Sequence, residues 1–191
     1  MPQPFEFIET EIKGLYKITP FNAEDIRGFF TKDYSKEVFE ANGIDHELAE
    51  VFYTTSYKGV IRALHFQRIK QQPKLVRCIY GHVWDVVVDL RKDSPTFKKW
   101  LSFDLKGDRT TEILVPAGCA HGYLVLEDSV VSYKCGEKFV GEYDDGIMWN
   151  DSDIGVEWPL ELIGGEQNLI VAEKDKHLQS FKELMERYDQ F

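Results

Sequence analysis

From about Leu48 onward the chain alternates between short runs rich in Val, Ile, Tyr and Trp and tight breaks of Gly, Pro and Asp. The runs are Leu75–Tyr80, Val83–Leu90, Lys99–Leu105, Thr111–Val115, Gly122–Leu126 and Val130–Lys134. The breaks fall at Gly81, Asp93-Ser94-Pro95, Gly107-Asp108, Pro116-Ala117-Gly118 and Glu127-Asp128. β-branched and aromatic side chains suit a pleated, half-buried surface. Many short strands at regular spacing predict an all-β sandwich or barrel. Two further strand-like pieces precede them, Phe5–Glu11 and Leu15–Thr19. Helices are peripheral. Asp33 to Ala41 places Tyr34, Val38 and Phe39 near a 3.6 period, with Asn42-Gly43 as a stop. Asp175–Tyr188 places Leu178, Phe181, Leu184, Met185 and Tyr188 on one stripe, which predicts a C-terminal helix packed on the sheet. With no repeat, low-complexity segment or linker, residues 1–191 read as one domain.

Charge decides which partners suit such a fold. Lys+Arg 23 against Asp+Glu 33 gives a net charge of −10, and a field of that sign repels nucleic acid and anionic membrane surfaces. A small anion held by a few local arginines remains compatible with it. The 3 cysteines, Cys78, Cys119 and Cys135, have neither disulfide-framework nor zinc-site spacing. They fit a reducing compartment. The opening Met-Pro-Gln-Pro-Phe-Glu-Phe lacks the basic and apolar regions of a signal peptide. No apolar run approaches the roughly 18 residues a membrane helix needs. The expected location is the cytoplasm.

Of the 5 histidines, His46, His82 and His177 lie among polar or turn residues and read as surface groups. His65 sits in the strand-like run Gly59–Gln67. Strand alternation puts Arg62, Leu64 and Phe66 on one side and Ile61, Ala63, His65 and Gln67 on the other. That second face suits a ligand cavity or a hydrogen-bonded core histidine, and spacing alone leaves both open. Lys74 opens an apolar strand, where a strand-end charge is the plain reading. In Pro116-Ala117-Gly118-Cys119-Ala120-His121 a Pro-x-Gly turn delivers His121 to the start of a strand. Tyr133 lies on a late strand, where a core aromatic with its hydroxyl at the rim is the plain reading, and Asp175 reads as a cap of the final helix. Glu142-Tyr143-Asp144-Asp145 reads as a solvated turn.

Taken together, ordered motifs spanning about Phe7 to Asp175 resemble the nucleotide-sugar 3,5-epimerase family of the cupin fold. They include Arg27-Gly28-Phe29-Phe30, Gly59–Gln67, Lys74-Leu75-Val76-Arg77, Gly81–Arg91, Asp93–Phe97 and Pro116–Tyr123. Tyr133-Lys134-Cys135, Gly146–Asp151 and Trp158-Pro159-Leu160 complete the set. The resemblance implies a cupin or jelly-roll β-sandwich barrel, a homodimer, and chemistry without metal or other cofactor. It implies a nucleoside-diphosphate 4-keto-6-deoxy-hexose as substrate, inverted at C3, C5 or both. His65 would be the general base, Asp175 its partner, Lys74 the enolate stabiliser and Tyr133 the acid. Arg27 and Arg62 would hold the diphosphate, and Phe30, Gln67, His121 and Asp85 would complete the substrate site, Asp85 at a buried position near the lysine.

Several positions depart from the family pattern. Lys32 replaces an acidic residue that helps hold thymine, and a cation cannot accept a hydrogen bond from the base. Glu50-Val51-Phe52 replaces Gln-x-Asn, so Glu50 and Phe52 join Lys32 as altered substrate-site positions. Ala63 replaces glycine, Phe139 replaces a second tyrosine, and an insertion surrounds Gly164-Gly165-Glu166. The base, lysine and acid are intact, so the nucleotide, the sugar or the set of inverted carbons is where a difference is expected. Two other readings are weaker: a metal-dependent cupin using His65, Gln67 and His121, with His-x-Gln in place of His-x-His, and a non-catalytic sugar-binding cupin, which would need no acid–base pair.

Overall fold

The computed structural model describes residues 4–107 and 111–187. Its strands are β1 (Glu6–Glu9), β2 (Tyr16–Thr19), β3 (Phe21–Asp25), β4 (Gly28–Lys32), β5 (Glu50–Ser56), β6 (Val60–Gln67), β7 (Lys74–Asp89), β8 (Trp100–Lys106), β9 (Glu112–Val115), β10 (Cys119–Cys135), β11 (Asp144–Gly146) and β12 (Ile170–Val171). Two helices are added, α1 (Lys36–Ala41) and α2 (Phe181–Arg187).

The long strands β7 and β10 run antiparallel along their whole lengths and belong to both layers of a jelly-roll sandwich. At the Lys74 end of β7 the neighbours are β9 on one side and β10, then β5, on the other. At the Asp89 end they are β8 and β10, followed by β6 and β11. Gly81 and Glu127-Asp128 do not end strands, as their composition suggests. They are bends at which register shifts between Val125, Glu127, Val130 and Val131 fold the ribbon from one layer into the other. Gly81 has φ +80°, and a Cβ there would lie 2.1 Å from the Asp128 carbonyl oxygen, so only glycine fits the crossing.

Alternation along the strands sorts the core into three bodies. Val76, Cys78, Val83, Val87, Tyr123, Val125 and Val131 pack between the layers. Leu64, Val86, Val88 and Leu124 face outward, where Trp158, Ile163, Phe181 and Leu184 of the C-terminal segment cover them. Phe39 of α1 packs on Ile18, Leu75 and Leu114.

Both helices are shorter than their periodicity predicts. Asp33 stays outside α1, and its carboxylate takes Lys134 at 2.7 Å and Arg77 at 3.3 Å. In the C-terminal segment Asp175–His177 is a single 3-10 turn and Leu178 is extended (φ −63°, ψ 151°), so the helix starts only at Phe181. Tyr188, the last member of the expected stripe, and Asp108, part of an expected break, lie outside the described residues. The β3–β4 hairpin, a separate two-stranded sheet, has no counterpart in the strand pattern read from sequence. His46 is a correction. It is buried at 5% exposure, with Nε2 3.0 Å from the Lys134 carbonyl oxygen and its ring edge-on to Tyr34. His177 is exposed, and His82 is partly buried and paired with Asp104.

Candidate active site

At one end of the sandwich interior the apolar filling gives way to a cavity of about 220 Å³. Inward-facing positions build its walls: Phe52 and Thr54 from β5, Arg62, His65 and Gln67 from β6, Lys74 from β7, and His121 and Tyr133 from β10.

β6 does not alternate as its sequence suggests. Arg62 and His65 both face the cavity, while Ala63 and Leu64 are both buried in the outer core. Opposite them β10 advances from His121 to Tyr123 while β6 goes from His65 back to Arg62, a bulge containing a cis peptide between Ala63 and Leu64. The extra residue switches the parity of the strand. The expected separation of Arg62 from His65 is therefore overturned, and the two share one wall. Ala63 is accommodated because Gly122 lies across from it, where a Cβ would come within 2.5 Å of the Ala63 Cβ.

The His65 ring meets Asp175 at 3.2 Å, from Nε2 to Oδ2. Asp175 is 3% exposed and its other oxygen has no partner among the described residues. An ionised carboxylate only accepts, so this contact fixes the ring proton on Nε2 and leaves the Nδ1 lone pair available. The Lys74 ammonium has no hydrogen bond or ion pair among the described residues. Burial pushes its ammonium below the ordinary lysine value, against the pull of the Cys135 thiol and the Asp144 and Asp85 carboxylates. Tyr133 is 7% exposed and stacks on Phe52 with ring centroids 4.9 Å apart. Burial holds its phenol well above the usual tyrosine range, so it is protonated at neutral pH.

Behind the wall, Asp85 is fully buried and bonded to His121 at 2.8 Å. Desolvation raises its carboxyl, with the His121 ring and Lys74 working against it. Asp85 is thus a support for the His121 ring and does not line the cavity, contrary to its place in the substrate set. His121 stands edge-on to Tyr133 at 6.0 Å.

These groups converge on one cavity, and the family model described as dTDP-4-dehydrorhamnose 3,5-epimerase matches residues 9–183. The chain belongs to the dTDP-4-dehydrorhamnose 3,5-epimerase family. It is 42% identical over 180 residues to the protein of that name from Methanothermobacter thermautotrophicus, covering 94% of this chain and 96% of that one. A crystal structure of the dTDP-6-deoxy-D-glucose-3,5-epimerase of Legionella pneumophila, in complex with dTDP-4-keto-L-rhamnose, superposes with a TM-score of 0.87. That pair is 34% identical, with 94% of each chain covered. The Mycobacterium tuberculosis epimerase superposes with a TM-score of 0.89 at 34% identity, covering 95% of this chain and 91% of that one.

Not every residue carried over from the dTDP-4-dehydrorhamnose 3,5-epimerase pattern reaches the cavity of its own chain. Arg27 lies in the β3–β4 turn, bonded to Asp25 at 2.5 Å, and Phe30 and Lys32 lie on β4. Lys32 stands over the Phe21 ring, 5.7 Å from its centroid. Ile26 and Phe30 project from this hairpin with exposures of 104% and 58%. Glu50 is turned to Gln72 and the Phe139 backbone. Conversely Thr54, Asp144 and Lys174 line the cavity without having been picked out from sequence. Asp144 and Asp145 are not a solvated turn. They form β11 against β6, with Asp145 3.1 Å from Arg68 and Asp144 3.6 Å from Lys174.

Proposed function

We propose that this chain is a cofactor-independent epimerase of a nucleoside-diphosphate 4-keto-6-deoxy-hexose, converting dTDP-4-dehydro-6-deoxyglucose to dTDP-4-dehydrorhamnose. The observation that carries the reading is the convergence of the His65–Asp175 pair, Lys74 and Tyr133 on one cavity. In this reading His65 removes the proton from carbon next to the C4 ketone, and the C–H electron pair moves into the carbonyl to give an enolate. The Lys74 ammonium faces the developing oxyanion, an interaction worth roughly 3–4 kcal/mol by analogy with a single oxyanion donor. Tyr133 returns a proton to the carbon from the other face, and solvent resets both groups, so the net change is inversion. Positioned acid–base groups of this kind contribute about 10²–10⁴-fold. Arg62, whose Nε donates to Ser56 Oγ at 3.0 Å, has a guanidinium at the cavity for the diphosphate.

A homodimer reconciles the hairpin with the site. Arg27, Phe30 and Lys32 serve the substrate in this reading by reaching the cavity of a second copy, and the exposed Ile26 and Phe30 favour that use. The reaction belongs in the cytoplasm, consistent with Cys78, Cys119 and Cys135 all being free and buried. No helix among the described residues is long and apolar enough to cross a membrane.

Phe139 at the cavity, where the family pattern has tyrosine, favours a second reading in which one carbon alone is inverted. A panel of 4-keto-6-deoxy sugars on different nucleotides, followed by proton NMR in heavy water, tests both. Exchange at C3 and C5 supports the double inversion, exchange at one carbon selects the second reading, and none on any nucleotide rejects the assignment.

A further inference from the structure

Residues 137–140 join no strand, Phe139 among them lines the cavity, and buried or half-buried side chains take up their backbone groups. Gln67 Nε2 donates to the Lys138 carbonyl oxygen at 3.1 Å and to that of Lys70 at 2.8 Å, while its Oε1 accepts from the Val140 N–H at 2.5 Å. Gln72 Nε2 donates to the Glu137 carbonyl oxygen at 2.7 Å and to Glu50 Oε1 at 3.0 Å. The same Glu50 oxygen accepts from the Phe139 N–H at 2.9 Å. An amide nitrogen has two hydrogens, and in both glutamines both are committed. At 3% and 8% exposure, neither amide can exchange these partners for water without cost.

We infer that Gln67, Gln72 and Glu50 are positioning residues: they bolt the 137–140 strap so that Phe139 stands as a wall of the cavity. This gives a strap-holding role to Gln67, which also lines the cavity, and to Glu50, which does not. Glu50 joins the two supports, since its Oε1 accepts from Gln72 and from the Phe139 N–H at once. The inference rests on the epimerase reading, because the wall matters only if the cavity holds the sugar nucleotide.

The test compares Gln67→Ala, Phe139→Ala and the double variant, with Gln72→Ala as a second release of the strap. Backbone amide exchange, read by NMR on substrate-free protein, is expected to speed up about tenfold or more at Phe139 and Val140 in Gln67→Ala, while core strands keep their protection. With dTDP-4-dehydro-6-deoxyglucose, KM is expected to rise about tenfold with kcat changed less than about threefold. Because Gln67 acts through Phe139, the double variant should lose no more than the worse single one. Unchanged exchange at Phe139 and Val140 in both glutamine variants, or losses that multiply in the double variant, would overturn the strap. Absence of turnover in the unaltered protein would overturn the epimerase reading instead.

Discussion

Asp175 Oδ2 lies 3.2 Å from His65 Nε2, although the two residues are 110 positions apart in the chain. The contact joins the 3-10 turn after β12 to the bulged end of β6, so the base is oriented by a part of the chain that folds over it. Asp175→Asn replaces an obligate acceptor by an amide that can present its N–H and favour the wrong tautomer. Turnover is expected to fall about 10²–10³-fold with the melting temperature nearly unchanged. A variant within about threefold of the parent in a progress-curve assay would contradict the pairing.

Tyr133 is assigned the second proton transfer, not the first. Tyr133→Phe therefore leaves His65 able to remove the α-proton and to give a solvent proton back to the same face. Deuterium should enter the substrate while inversion stops. Mass spectrometry for exchange and NMR coupling constants for configuration separate the two events. Full inversion by the phenylalanine variant would remove Tyr133 from the mechanism.

The charge on Lys74 makes the alkaline limb of the pH profile informative. Burial lowers its pKa from the ordinary lysine value of 10.5, so the cation is lost at a lower pH than in a free lysine. The alkaline limb of kcat/KM should fall below that value. In Lys74→Arg it should move upward, since a guanidinium keeps its proton, although the overall rate is lower. Tyr133, held well above the usual tyrosine range by burial, does not set this limb. A limb unmoved by the arginine substitution would assign it to another group.

The family motifs point to the cavity because most of them sit on the strands that wall it; read singly, Lys74 is a strand-end charge and Tyr133 a core aromatic, and only the resemblance joins them to His65. Alternation failed where the backbone departs from a regular ladder. Sequence alternation sets Arg62 opposite His65 because a bulge inserts a residue without leaving a compositional mark. Gly81 in β7 and Glu127-Asp128 in β10 read as breaks because a glycine or an acidic pair at a bend within a strand looks the same in sequence as one in a turn. His46 reads as a surface group in sequence because the group that meets it when buried, the Lys134 carbonyl, is far away in the chain. The amides of Gln67 and Gln72 carry no sequence sign of whether they face a ligand or a strap.

The Asp89-Leu90-Arg91 and Ser94-Pro95-Thr96 motifs serve stability. Asp89 is fully buried and accepts from Arg91 Nε at 2.7 Å, Ser94 Oγ at 2.6 Å and Thr96 Oγ1 at 2.7 Å. Burial alone would raise its pKa. The hydrogen bonds from Arg91, Ser94 and Thr96 outweigh it and bring the carboxyl down to about 2. A folded-state value below the unfolded one, ~3.9, stabilises above that pH and loses its contribution as pH falls from about 4 to 2. Asp89→Ala leaves Arg91 without its partner and should cost roughly 3 kcal/mol. Urea unfolding at pH 7 and pH 3 checks both statements: the gap between parent and variant should shrink at pH 3, and a gap that is small or independent of pH would contradict the account.

The most direct measurement is deuterium uptake from heavy water into dTDP-4-dehydro-6-deoxyglucose by the parent chain and by His65→Asn, with circular dichroism confirming that both are folded. The account predicts label at C3 and C5 with the parent and a loss of at least about a thousandfold in the variant. Uptake by the asparagine variant at the parent's rate would contradict it.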